Sequence, residues 1–333
     1  MDNPDHFEAE AARFVESFER IRAEIAKVIV GQRELVSDTL TGLFAGGHVL
    51  LEGVPGIGKT LLVHTLADTI DCAFSRIQFT PDLMPSDIIG TRVVMDDEDG
   101  RKQFSFQSGP VFTQVLLADE INRATPKTQS ALLEAMQEHS VTVAGETRRL
   151  EEPFFVIATQ NPLEMEGTYP LPEAQVDRFF FKLTVGSPAM DDLIEVARRT
   201  TTREMPKAAH VTTDKEVVEL MGVVRDVPIA EHVEQFAASV LLGSHPGSDT
   251  APEIVNRYVK YGASPRGLQA LIIGGKVRAL LDGRYNVAEE DIRAVALSAL
   301  RHRLLLNFEG EAEEIDPDAI LGEIIDSVSA ATV

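Results

Sequence analysis

The segment Gly53-Val54-Pro55-Gly56-Ile57-Gly58-Lys59-Thr60 constrains this chain more than any other feature. It has the pattern glycine, four residues, Gly-Lys-Thr, and it follows an apolar run at residues 48–52 and opens a helical pattern at 59–70. Glycines let successive backbone N–H groups curl around a phosphate, and a helix starting at Lys59 aims its positive end at the same anion. Lys59 would bring a point charge to the β- and γ-phosphates, and the Thr60 hydroxyl could ligate Mg²⁺.

The runs Val115-Leu116-Leu117-Ala118-Asp119 and Phe154-Phe155-Val156-Ile157-Ala158 are nearly unbroken, the pattern of strands buried on both faces of a parallel sheet. Residues 73–78 and 179–183 are expected to add strands, and residues 125–138 a helix with Pro126 in its first turn. The first part of the chain, residues 1–187, therefore reads as an α/β P-loop core in three αβα layers around a parallel sheet. Two alternating arms around Met95-Asp96-Asp97-Glu98-Asp99-Gly100-Arg101 predict a β-hairpin at about 91–106, and residues 140–150 predict another. Beyond Ser187-Pro188 the β-type runs stop. Helical patterns at 190–202, 214–225, 230–242, 265–282 and 288–302 predict a smaller all-α domain over 188–333. From Leu304 onward there are eight acidic residues and no Lys or Arg, which reads as a solvated helix end or acidic surface.

Composition narrows the partners. The 333 residues suffice for about two domains. With 31 basic and 53 acidic side chains the net charge is −22, which argues against a nucleic-acid backbone as the main partner. Cys72 alone excludes a disulfide scaffold and suits a buried thiol in a reducing cytoplasm. The N-terminal residues lack a signal-peptide pattern, and no apolar run of about 20 residues could span a membrane.

A phosphate cradle alone does not choose between kinase, GTPase and motor. Asp119, at the end of an apolar strand, is placed to hold Mg²⁺ through its waters, and Glu120 beside it could activate a water against the γ-phosphate. A hydrolase needs that second carboxylate. Asn161, in Ala158-Thr159-Gln160-Asn161-Pro162, puts an amide at another strand end, where it could bond the attacking water or the γ-phosphate. Charge on the transferring phosphoryl group calls for arginine. Arg178 (in Val176-Asp177-Arg178-Phe179) and Arg266 (in Ser264-Pro265-Arg266-Gly267) are the candidates.

With these residues together, the chain resembles the AAA+ ATPases and, within them, the MoxR group of the helix-2-insert clade. The likeness is carried by Gln78-Phe79-Thr80-Pro81-Asp82-Leu83-Met84-Pro85-Ser86-Asp87, Glu120-Ile121-Asn122-Arg123-Ala124, Lys127-Thr128-Gln129-Ser130-Ala131-Leu132-Leu133-Glu134-Ala135-Met136 and the stretch from Asn161 through Glu166-Gly167-Thr168-Tyr169-Pro170. It implies that Gly53, Val54, Pro55, Gly56, Ile57, Gly58, Lys59, Thr60 and Leu61 hold ATP as Walker A, with Val30, Gly31 and Gln32 near the adenine. Asp119 and Glu120 become Walker B and Asn161 sensor 1. Arg266 becomes sensor 2, reaching from the lid to the γ-phosphate. Arg178 becomes the arginine finger on a neighbouring subunit's ATP, with Arg123 as the competing candidate. The hairpins correspond to the helix-2 insert and the pre-sensor-1 hairpin, which line the central pore in relatives.

The resemblance further implies a homo-oligomer, usually a hexamer, using ATP and Mg²⁺ as a chaperone-like motor. Such a motor matures or activates a protein client, often by metal-cofactor insertion, with a von Willebrand factor A domain partner. The other readings are a nucleic-acid motor, disfavoured by Glu138, Glu146, Glu151 and Glu152 around Arg148 and Arg149, a P-loop kinase or GTPase, and a non-enzymatic scaffold, disfavoured by a complete site.

Overall fold

The computed structural model describes residues 4–332 except 55, 97–101, 163–166 and 203–205, and of residues 4, 5 and 330–332 only the backbone. Pro55, the hairpin tip at 97–101 and Glu166 thus lie outside the described residues.

Two helices, α1 (Pro4–Val28) and α2 (Arg33–Phe44), lead into β1 (Val49–Glu52), and α3 (Lys59–Thr69) follows. Then come β2 (Phe74–Gln78), α4 (Pro85–Ile89), β3 (Gly90–Asp96), β4 (Lys102–Ser108), β5 (Val115–Asp119) and α5 (Pro126–Glu138). The α/β part finishes with β6 (Ser140–Val143), β7 (Glu146–Arg149), β8 (Phe155–Gln160), α6 (Glu173–Val176) and β9 (Phe181–Thr184). Five strands form a parallel sheet in the order β2-β5-β8-β1-β9. The central strands β1, β5 and β8 are buried almost throughout, as their unbroken apolar runs require. β9 starts two residues later than expected, because Phe179 still belongs to the turn after α6, its N–H bonding Val176 O at 3.1 Å.

Both hairpins form. β3 pairs antiparallel with β4 from Gly90↔Ser108 to Asp96↔Lys102. β6 and β7 close through Ala144 and Gly145, both at positive φ, the turn whose twist matches a hairpin. The hairpins also dock on each other: Arg92 pairs with Glu146, and the Arg148 guanidinium lies 4.2 Å above the Phe106 ring.

The C-terminal part is helical: α7 (Met190–Thr200), α8 (Asp214–Asp226), α9 (Glu231–Gly243), α10 (Glu253–Tyr258), α11 (Pro265–Leu281), α12 (Glu289–Leu300), α13 (Phe308–Ala312) and α14 (Pro317–Thr332). A short antiparallel pair, β10 (Val259–Tyr261) with β11 (Leu305–Leu306), is added to the expected helices. The acidic stretch after Leu304 folds as α13 and α14, and Ile320, Leu321 and Ile324 are fully buried. The apolar residues recur at helical spacing between the carboxylates, so negative charge covers only the outer face.

One apolar cluster runs from α1 and α2 through the sheet's underside into α8, α9, α11 and α12. Phe14, Phe18 and Phe44 meet at its centre, with ring centroids 5.1–6.0 Å apart. α12 packs along β9, so the exposed edge of that strand is covered by the helical part. Among the described residues no helix is long and apolar enough to cross a membrane.

Candidate nucleotide site

The C-terminal ends of β1, β5 and β8 lie side by side, and the phosphate loop leaves the sheet there. Gly53 N–H bonds Gln160 O at 3.3 Å, and Val185 N–H bonds Glu52 O at 2.7 Å, tying the loop's root to β8 and β9. Gly56 and Gly58 have φ of 83° and 87°, conformations that L side chains rarely adopt, and Gly58 caps α3. The Lys59 ammonium donates to Gly53 O at 2.6 Å, across the mouth of the loop. Burial lowers the Lys59 pKa, while the charges of Asp119, Glu120 and Glu52 oppose that shift. Thr60 follows in the first turn of α3, with Leu61 next to it and half exposed.

Asp119 is buried at the end of β5. Its Oδ1 accepts the Thr159 hydroxyl at 2.6 Å, and its Oδ2 accepts Arg76 Nε and Nη2 at 3.2 and 2.7 Å. Glu120 holds a left-handed φ of 56°, and its N–H donates to Thr159 Oγ1 at 2.8 Å. Its carboxylate Oε2 accepts Gln78 Nε2 at 2.8 Å and Arg123 Nη1 at 3.0 Å. Asn161, immediately after β8, is buried beside them.

Val30, Gly31 and Gln32 form the turn between α1 and α2, and Gln32 Nε2 donates to Ile57 O in the phosphate loop at 3.3 Å. A cleft of about 620 Å³ opens along this turn, and one of about 440 Å³ lies between it and residues 184–189. Asp192 of α7 borders both, packed against Gly31 so closely that a Cβ there would fall 2.2 Å from the carboxyl carbon. The α1–α2 turn and the first helix of the C-terminal part thus border both clefts together.

The structure brings Lys59, Thr60, Asp119, Glu120 and Asn161 to one end of the sheet. Arg178 and Arg266 are at the other. Asp177 and Arg178 precede β9, whose far end meets the loop root, so the strand's length, about 10 Å at ~3.3 Å per residue, separates them from their own phosphate loop. Arg266, at the start of α11, donates to Asp177 Oδ2 at 3.3 Å and Gln137 Oε1 at 3.5 Å. Arg178 Nη1 donates to Leu133 O at 3.1 Å, while its Nε is buried without a partner. It borders a cavity of about 600 Å³ against α5, β6 and β7. Arg266 therefore does not reach its own γ-phosphate position as expected, because α11 docks at the N-terminal end of β9.

Arg76 lies outside every motif quoted above, and Gln78 and Thr159 lie inside quoted stretches that give them no role. Arg76 and Gln78 alternate on one face of β2, and Gln78 stands opposite Asp119 in register, a signal available only once the strand order is known.

Comparisons with known proteins fit this geometry. Residues 48–181 match the family described as ATPase family associated with various cellular activities (AAA), and residues 251–324 match the AAA lid domain. The chain is 42% identical to Chaperone MoxR1 of Mycobacterium tuberculosis, over 96% of this chain and 84% of that one. It is 34% identical to Protein MoxR of Methylorubrum extorquens, over 90% of this chain and 92% of that one. The chain belongs to the MoxR family of AAA+ ATPases. A crystal structure from Cytophaga hutchinsonii, 41% identical, superposes with a TM-score of 0.90 over 96% of both chains. Family membership makes the protein a nucleotide-binding, ATP-hydrolysing enzyme with a helical lid.

The donor set also fits Mg²⁺. Among the described residues no group of three His, Cys, Asp or Glu side chains could cage a metal. One carboxylate (Asp119) and one hydroxyl (Thr60), with substrate phosphates and water, are what a Mg²⁺ bound with its nucleotide requires.

Proposed function

We propose that this MoxR-family ATPase works as a cytoplasmic homo-oligomeric ring, a hexamer, in which each ATP is hydrolysed between two subunits. The observation that carries this reading is the placement of Arg178 and Arg266 together at the end of the sheet away from their own phosphate loop. A neighbour packed head to tail would present both guanidiniums to ATP held by the first subunit.

In each site Lys59 and the loop N–H groups bind the β- and γ-phosphates, and Thr60 and Asp119 would hold Mg²⁺. The metal supplies charge neutralisation on the phosphate oxygens. Glu120 takes a proton from the attacking water, and Asn161 orients that water or the γ-phosphate. Arg178 and Arg266 of the neighbouring copy stabilise charge on the transferring phosphoryl group. Arg123 is a poorer finger, since it is engaged by its own Glu120 at 3.0 Å.

The work performed is chaperone-like. The β3–β4 hairpin exposes Val94, Met95 and Phe104, side chains suited to gripping an unfolded or partly assembled protein client. The family resemblance extends this to maturation of a protein complex by metal-cofactor insertion with a von Willebrand factor A domain partner. A nucleic-acid client gains no support: Arg148 of the second hairpin is spent on contacts within the protein, pairing with Glu146 and stacking on Phe106.

Mixing separately purified Arg178→Ala and Lys59→Ala chains tests the shared site. Each is inactive alone, and mixed rings regain turnover where an intact loop meets an intact finger. Mixed rings of verified composition that stay inactive overturn the arrangement.

A further inference from the structure

Arg76 has no part in the steps above, yet it bonds Asp119 directly and reaches Glu120 through Gln78. It lies on β2, an edge strand, opposite Leu117 of β5, and its side chain is 46% exposed. One guanidinium makes three bonds: Nε and Nη2 to Asp119 Oδ2, and Nη2 to Gln78 Oε1 at 2.7 Å. Arginine has only donors and an ionised glutamate only acceptors. The Gln78 amide oxygen must therefore face Arg76, and its NH₂ must face Glu120, which it bonds at 2.8 Å. Thr159 joins the other side, donating to Asp119 and accepting from the Glu120 N–H. The bonds form a closed circuit through both carboxylate residues, with Arg76 holding Asp119 directly and Glu120 through Gln78.

We infer that Arg76 is a positioning residue for ATP hydrolysis, which fixes Asp119 for Mg²⁺ and, through the Gln78 amide, Glu120 for the attacking water. This rests on the roles given above to Asp119 and Glu120. An arginine is required because a planar fork of donors can serve a carboxylate and an amide oxygen at once, whereas lysine is a single point charge. A half-exposed guanidinium on an edge strand fills no core space, so its loss leaves the fold standing.

The test uses the full chain with Arg76→Gln, Arg76→Lys, Gln78→Ala and the Arg76→Gln/Gln78→Ala double variant. Turnover is measured against Mg²⁺ concentration, and binding of a fluorescent ATP analogue is measured with Mg²⁺ and with EDTA. Arg76→Gln is expected to lower kcat by about tenfold or more and to raise the Mg²⁺ half-saturation several-fold, in the range for residues that orient a metal ligand. Analogue binding in EDTA stays at the wild-type level, while the affinity gained from Mg²⁺ shrinks. Arg76→Lys restores little of either. Gln78→Ala lowers kcat without moving the Mg²⁺ half-saturation, and the double variant is no slower than Arg76→Gln alone.

Wild-type kcat and Mg²⁺ response in Arg76→Gln overturn the inference. A lower Mg²⁺ half-saturation also overturns it, since Arg76 would then be competing with the metal. So do multiplying effects in the double variant, which would make Gln78 independent of Arg76. If Arg76→Gln loses analogue binding in EDTA, it is misfolded, and Arg76→Lys carries the same comparisons. Glu120→Gln and Asp119→Asn run beside these variants. Wild-type turnover in them sinks the underlying roles, while their inactivity leaves the Arg76 variants to decide the inference by themselves.

Discussion

Arg266 of α11 and Asp177 of the segment before β9 meet at 3.3 Å, one residue from Arg178. Asp177 also accepts Ser264 Oγ at 2.7 Å and Arg303 Nε at 3.0 Å. A single carboxylate thus holds the helical part against the α/β part where Arg178 emerges.

The two sides of that pairing are expected to respond differently. Arg303 is buried, with its pKa pulled down to about 10 by burial, and Asp177 is the carboxylate that compensates it. Asp177→Ala leaves that guanidinium uncompensated and should cost about 3–5 kcal/mol in urea unfolding. Arg266→Ala, half exposed, should change stability by less than ~1 kcal/mol while lowering turnover at least about 100-fold. Equal stability losses in the two variants would remove the distinction.

Glu120→Gln keeps nearly the shape of the side chain and the bond that its backbone N–H donates to Thr159 Oγ1. ATP binding should therefore persist while turnover falls by about 10²–10⁴-fold, the loss associated with a general base. Equilibrium binding and single-turnover hydrolysis on the same preparation check it.

His48 is fully buried, with Nδ1 accepting the Val156 N–H and Nε2 facing Met136 O, both at 3.1 Å. Burial lowers its pKa to about 4. The unfolded chain binds a proton near pH 6.5 and the folded chain does not until about pH 4, so stability should fall as pH drops through that window. The slope from this group is at most about 1.4 kcal/mol per pH unit. His48→Gln should lose stability at pH 7 yet show a shallower acid decline in urea unfolding measured from about pH 7 down to about pH 4.5. Parallel curves would contradict the assignment.

The C-terminal helix offers a stability test. Ile324→Ala removes fully buried methyl groups and should cost about 2–5 kcal/mol, whereas Glu323→Gln on the solvent side of the same turn should stay within ~0.5 kcal/mol. Thermal melts of the two variants separate them.

Much of the fold is legible in the sequence because backbone chemistry leaves few options. Gly56, Gly58 and Lys59 announce a phosphate loop, and the unbroken runs at β1, β5 and β8 announce buried parallel strands. The α1 helix carries a signal that the motifs overshadow: Phe7, Ala11, Phe14, Phe18, Ile21 and Ile25 recur at helical spacing and pack into the core. In the tail, counting charges hides the same pattern. The partners of Asp119 and Glu120 are not legible, since Arg76 and Gln78 lie more than forty residues from them and meet them only through strand order. The end of the sheet occupied by Arg266 depends on where α11 docks, which no local motif encodes.

The separation of phosphate loop and arginines along β9 also bears on how a ring tolerates damage. In the ring proposed above, every subunit consumes at one end of its sheet and donates at the other, so one chain lacking both functions silences two neighbouring sites. When defective copies are mixed at random with intact ones, the surviving activity follows the square of the intact fraction. A small fraction of non-functional copies would therefore remove about twice its share of the activity.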